Sequence, residues 1–214
     1  MHESYKKHLI EAGLKMINSN YVSGTAGNIS IRIEGENLFA ITPSGMPYDR
    51  VTEEDIPILD FEGKMVDGKR KPSIEYQMHG DILREIPEIK AVVHTHAVHA
   101  TALSIIREPI PAVTEGTVLI GGSVPVAEYG NSGSEKLAEN VLAAMRNSRA
   151  VLMANHGLIC GAENLDKAFS LCESVERTAM IYLLALSSGK PVHVIPPEDA
   201  EECIRFIREN YGQK

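Results

Sequence analysis

Two apolar runs, each ending in histidine, constrain this chain more than any other feature. "KAVVHTHAVHA", Lys90 to Ala100, and "RAVLMANHGLI", Arg149 to Ile159, both read as buried strands. Side chains on a strand repeat every two residues, so His94 and His96 point to one face and Thr95 to the other. His156 ends the second run just before a glycine. A sheet that brings these two strand ends together gathers three imidazoles on one ion. Such a set leaves a coordination position open for substrate, as catalytic zinc sites require. Imidazole suits zinc, and it also binds iron, cobalt, manganese and nickel. A lone histidine in such a run is ordinarily a hydrogen-bonded core or surface residue; the pairing of the two runs is what points to a metal. His99 falls one helical position beyond and reads as structural, while His2, His8, His79 and His193 belong to no cluster and read as surface or packing residues.

The rest of the pattern is that of one α/β domain spanning residues 1–214. With 43% hydrophobic residues the chain can bury a sizeable core. Leu9, Ala12, Gly13, Met16 and Ile17 share one face of an N-terminal helix. Strands are predicted over "NISIRI", "LFAIT", "IKAVVHTH", "SVPVAEY" and "AVLMAN", with a short strand and a Gly/Lys-rich hairpin or loop in "IPILDFEGKMVDGKRKPS". Helices are predicted over "IEYQMHGDILREI", "AVHATALSII" and "SEKLAENVLAAMRN". A long helix follows, with Asn164 as N-cap and Gly189 as its stop, and a last one starts at "PPED". No Pro/Ser-rich linker divides the chain. Strands and helices do not alternate strictly, which favours a mixed sheet flanked by helices.

Charge and composition exclude several classes. The net charge of −8 and the lack of a long basic cluster argue against nucleic acid. No stretch of about 18 apolar residues suggests a membrane span. The N-terminus lacks the apolar run and cleavage site of a signal peptide, and the three cysteines are scattered and outside any CxxC, so a cytoplasmic protein with reduced thiols is expected. An anionic substrate would have to be drawn in by local charge.

Three small-residue loops could supply it. "SGTAGNIS", Ser23 to Ser30, exposes backbone N–H groups before a strand, "TPSG" follows a strand at Thr42 to Gly45, and "KPSIE" precedes a helix at Lys71 to Glu75. No GxxxxGK[ST] occurs, which excludes a Walker-type nucleotide loop. Glu75 at the start of that helix is favoured there by the helix dipole alone. Beside a metal, a carboxylate is also the usual group to move a proton.

Taken in order, "GTAGNIS", "TPSGMPYD", "KPSIEYQMH", "VVHTHAVHATALSI", "IPAV", "ANHGLI" and the terminal "ENYG" resemble the class II aldolase/adducin-head family over nearly the whole chain. The resemblance implies a mostly antiparallel sheet with helices on both sides and a C4 homotetramer with sites between subunits. It implies zinc on His94, His96 and His156, and Glu75 as acid/base. It places a substrate phosphate against Thr25, Gly27, Asn28, Ser44, Gly45 and Ser73, with Tyr211 reaching a neighbouring subunit's site. The implied reaction is cleavage of a ketose 1-phosphate, such as L-fuculose 1-phosphate or a related deoxy-ketose phosphate, to dihydroxyacetone phosphate and an aldehyde. Three positions depart from the pattern. Glu115 stands where an aldolase of the family carries a tyrosine; the family's methylthioribulose-1-phosphate dehydratases carry a glutamate at about this place but lack a counterpart of Glu75. Ile74 replaces a second phosphate-contacting serine, and Ser132 replaces an aromatic of the aldehyde pocket. The family's epimerases carry aspartate at the Glu75 position. Its adducin heads are interaction modules without the zinc histidines.

Overall fold

The apolar stripe at the N-terminus forms helix α1 (Glu3–Asn18), which buries Leu9, Ala12, Gly13 and Met16. Full burial of a Leu or Met side chain contributes about 1.5–3 kcal/mol, so this face alone fixes the helix on the sheet. In this computed structural model, which describes residues 2–210, the chain continues through β1 (Asn28–Ile33) and β2 (Leu38–Ile41). Two 3-10 turns (Tyr48–Arg50 and Glu53–Asp55) lead into the hairpin of β3 (Ile58–Asp60) and β4 (Met65–Asp67). Next come α2 (Tyr76–Glu85), β5 (Ala91–Thr95), α3 (Val98–Ile106), α4 (Glu115–Leu119) and β6 (Val126–Ala127). The rest is α5 (Glu135–Met145), β7 (Ala150–Met153), β8 (Gly157–Ala162), α6 (Leu165–Ser187) and α7 (Pro197–Asn210).

The strands form one sheet in the order β4-β3-β2-β1-β5-β8-β7-β6. Every neighbouring pair is antiparallel except β6 with β7. Both faces are covered, giving the three-layer α/β/α arrangement that the sequence led us to expect. On one face α1, α3 and α6 pack Leu9, Met16, Leu103, Phe169 and Val175 onto Ile29, Val93 and Leu158. On the other, α2 and α5 pack Ile82, Leu83, Leu137 and Val141 onto Val92, Val151 and Ile159. Adjacent residues Val92 and Val93 serve opposite layers, as a period of two demands. Among the described residues no helix is long and apolar enough to cross a membrane.

Asn164 caps α6, its side chain accepting the Lys167 N–H at 2.9 Å, and Gly189 just past the helix has φ 68°, as expected of a helix stop. Two local readings are corrected. The second histidine run does not end as a strand at His156: β7 stops at Met153, the chain reverses, and β8 carries on from Gly157. Asn155 makes the reversal, at φ 57°, a left-handed conformation that its short polar side chain tolerates. The strand expected over "SVPVAEY" shrinks to Val126–Ala127, and a short helix, α4, appears where none was predicted. Thr114 starts it by accepting the Thr117 N–H.

Candidate metal centre

His94 lies at the end of β5, on the layer shared with Val92 and α2, and is fully buried. His96 follows just beyond the strand, its backbone N–H donating to the Tyr21 carbonyl at 2.9 Å. His156 enters from the β7–β8 turn. That turn is held from α3: the Arg107 guanidinium donates twice to Asn155 Oδ1, at 3.0 and 2.8 Å, and the Asn155 N–H reaches the Ser104 carbonyl at 3.3 Å. Gly157 is required by close approach, since a Cβ there would lie 2.4 Å from the Thr95 carbonyl oxygen and 3.1 Å from the His96 ring. The three rings stand 4.8 to 5.1 Å apart between centroids.

One nitrogen from each ring lies within 4.8 Å of the others, close enough to share an ion. The His94 Nδ1 is 3.0 Å from the Leu158 carbonyl oxygen. A carbonyl only accepts, so Nδ1 carries the hydrogen and the Nε2 lone pair faces the cluster, the orienting bond typical of a metal-ligating histidine. Burial pushes the His94 imidazole down to about 3, against the pull of Glu75. His96 is lowered by burial and then by the neighbouring His156. Burial thus favours, for His94 and His96, the neutral form that binds metal. The donor set and its tautomer fit a divalent ion held by His94, His96 and His156.

Glu75 closes the cluster. It is the N-cap of α2, is buried, and lies with Oε2 3.4 Å from His94 Nε2 and Oε1 3.5 Å from His156 Nε2. The Asn28 amide donates to Oε2 at 2.8 Å, and Oε1 has no hydrogen-bond partner. Burial pushes this carboxyl up, but His94, the Asn28 hydrogen bond, His156 and His79 together outweigh it and leave it below its ordinary value. A carboxylate this close to a candidate metal site can move a proton at a metal-activated carbon.

The three small-residue loops converge beside it. Ser73 N–H donates to the Thr42 carbonyl at 3.1 Å, Ser44 N–H to the Lys71 carbonyl at 3.0 Å, and the Glu75 N–H to Ser73 Oγ at 3.3 Å. Thr42 Oγ1 accepts the Ile29 N–H, and the Tyr48 hydroxyl donates to the Gly27 carbonyl at 2.7 Å, which ties in the first loop. Gly27 has φ 73°, and a Cβ on it would press 2.7 Å from the His94 carbonyl oxygen. Thr25, Ser44 and Gly45 are exposed, whereas Asn28 and Ser73 are buried. Glu115 stands exposed at the start of α4, and among the described residues it has no side-chain hydrogen bond or ion pair, to the triad or to anything else. Tyr211 lies outside the described residues. His99 is held by Glu176, whose carboxylate accepts from its ring at 2.7 Å and from the His99 and Ala100 N–H groups, a structural role as expected. His79 was read as surface or packing; it is fully buried, one turn from Glu75, with Nδ1 2.7 Å from Ser30 Oγ. Its spacing of four from Glu75 was the available signal.

Residues 7–183 match the family model described as Class II Aldolase and Adducin N-terminal domain. The chain is 39% identical to a 5-deoxy-D-ribulose 1-phosphate aldolase of Bacillus thuringiensis serovar kurstaki, covering 98% of this chain and 97% of the relative. It is 41% identical to an L-fuculose phosphate aldolase of Escherichia coli O6:H1, covering 96% and 94%. A solved L-fuculose 1-phosphate aldolase superposes with a TM-score of 0.92 at 40% identity, covering 96% of each chain. The chain thus belongs to the class II aldolase and adducin N-terminal domain family and, with aldolases for relatives and a three-histidine centre, stands among its metal-dependent lyases.

Proposed function

We propose that this protein reversibly cleaves a deoxy-ketose 1-phosphate to dihydroxyacetone phosphate and an aldehyde. The observation that carries the reading is the Glu75 carboxylate set 3.4 and 3.5 Å from two of three clustered imidazoles. His94, His96 and His156 would hold a divalent ion, zinc by the chemistry of the donors, whose Lewis acidity stabilises the charge released when the carbon–carbon bond breaks. Glu75 moves the proton at the carbon that leaves that bond. The loops bearing Thr25, Gly27, Asn28, Ser44, Gly45 and Ser73 hold the phosphate through backbone N–H groups and hydroxyls. The hydroxyl proton on the aldehyde side falls to Glu115 or Tyr211, each brought from a neighbouring subunit of a C4 homotetramer. The reaction belongs in the cytoplasm, in keeping with cysteines that are all unpaired.

Carbon counting separates the candidate substrates. A five-carbon 5-deoxyketose phosphate leaves acetaldehyde beside dihydroxyacetone phosphate, and a six-carbon 6-deoxyketose phosphate leaves lactaldehyde. Zinc-loaded protein given L-fuculose 1-phosphate and 5-deoxyribulose 1-phosphate should release dihydroxyacetone phosphate from at least one, with the aldehyde naming the preferred chain length. A single product lighter by one water, from methylthioribulose 1-phosphate, would instead establish a dehydratase using Glu115. Protein that binds no metal and turns over neither sugar would fit an interaction module.

A further inference from the structure

The face of β1 that meets α2 is polar at every position. Asn28 and Ser30 are buried there, and Arg32 continues the series. Each makes one bond to α2: the Asn28 amide donates to Glu75, Ser30 Oγ lies 2.7 Å from His79 Nδ1, and the Arg32 guanidinium donates to the Leu83 carbonyl. Two strand residues advance about 6.6–6.8 Å and four helical residues about 6.0 Å. Positions 28, 30 and 32 therefore keep step with 75, 79 and 83, and the three bonds form a ladder ending at Glu75.

The middle rung is a poor choice for stability. His79 is fully buried, yet among the described residues only Nδ1 has a partner and Nε2 has none. An apolar side chain of similar size, facing an alanine, would leave nothing unpaired. What the rung supplies is direction, because a hydrogen bond constrains distance and angle where a dispersion contact constrains neither. Direction is needed at this helix end. Glu75 is the N-cap, but its side chain makes no capping bond, being turned instead toward Asn28 and the histidines.

We propose that Ser30 and His79 are a positioning pair: they pin the first turn of α2 to β1 and so aim the Glu75 carboxylate at the triad, without touching substrate. The pair rests on the reading above in which Glu75 moves the proton.

The test compares Ser30→Ala/His79→Leu with His79→Asn, whose amide can replace Nδ1 toward Ser30. Removing both partners should leave Tm and metal content at or above the wild-type values. KM should stay within about twofold while kcat falls by about tenfold to a hundredfold, the cost of a misplaced catalytic group. His79→Asn should recover most of that loss. A plain packing role predicts the reverse, a lower Tm with kcat per folded, metal-loaded site unchanged, and that result overturns the proposal. So does a kcat in the double variant within about twofold of wild type. If the double variant does not fold, Ser30→Ala alone decides, by a drop in kcat at constant KM or by none. An unaffected double variant beside an inactive Glu75→Gln sinks the positioning pair only; a fully active Glu75→Gln sinks both, since nothing would remain to be aimed.

Discussion

Asn28 and His94 are direct partners across the β1–β5 ladder, and both reach the same oxygen, Glu75 Oε2, at 2.8 and 3.4 Å. A single sheet register thus sets an imidazole of the three-histidine cluster and an amide donor side by side under one carboxylate. Asn28 is expected among the phosphate-binding residues; its side chain has this further contact, which holds the Glu75 carboxylate. Asn28→Ala should therefore lower kcat about tenfold, since a hydrogen bond to a charged group contributes about 1.5–3 kcal/mol. Metal content should not change. Steady-state kinetics with elemental analysis checks both, and a pure KM effect would return Asn28 to phosphate binding alone.

Metal binding should depend on all three imidazoles. The His94 ring is oriented by the Leu158 carbonyl, on the strand paired with its own. His94→Ala should bind metal at least tenfold more weakly, in line with what the loss of even an outer-shell partner costs. Stoichiometric metal in a His94→Ala/His96→Ala variant, measured by elemental analysis after dialysis, would refute the centre.

Glu75→Gln keeps the size of the side chain and its place near Asn28 but removes its basicity. Turnover should drop by roughly a hundredfold or more, the scale of general acid–base catalysis, with fold and metal retained. The decisive measurement is loss of proton exchange at the carbon of dihydroxyacetone phosphate in the absence of aldehyde.

Acid should weaken the metal-free protein in a defined window. Burial pushes His79 down to about 4 and His94 down to about 3. An unfolded chain takes up these protons near pH 6.5. Below that pH the unfolded state binds more protons than the folded one, so stability present above pH 6.5 is lost as pH falls toward 4. Each buried imidazole contributes a slope of up to about 1.4 kcal/mol per pH unit there. Denaturant titrations with chelator present should show this decline, and it should be shallower in the Ser30→Ala/His79→Leu variant.

Much of this arrangement is legible in the amino-acid sequence. The period of two put His94 and His96 on one face, and Glu75 was visible as a helix-start acid beside the "KPS" loop. The β7–β8 reversal was not, because apolar residues stand on both sides of Asn155 and His156, and the left-handed backbone of Asn155 is what turns the chain between them. The sequence reads His79 as no more than a surface or packing residue, because a spacing of four from Glu75 says little by itself. Its meaning depends on Ser30, a residue 49 positions away that the fold brings to 2.7 Å. Among the described residues Glu115 stands exposed and unpaired, away from the triad.

The polar side of β1 also governs how that strand can pair. Ile29, Ile31 and Ile33 face the layer of α1, α3 and α6, while Asn28, Ser30 and Arg32 face α2. A slip of one residue against β2 and β5 would exchange the two sets. The amide, hydroxyl and guanidinium would then lie among Leu9, Met16, Val93 and Phe169, with no acceptor or donor to meet them. A strand apolar on both sides would tolerate that error; this one is penalised for it at three successive positions. The residues that direct the carboxylate thereby exclude the misaligned sheet, so a chain that has paired its central strands wrongly cannot close over them.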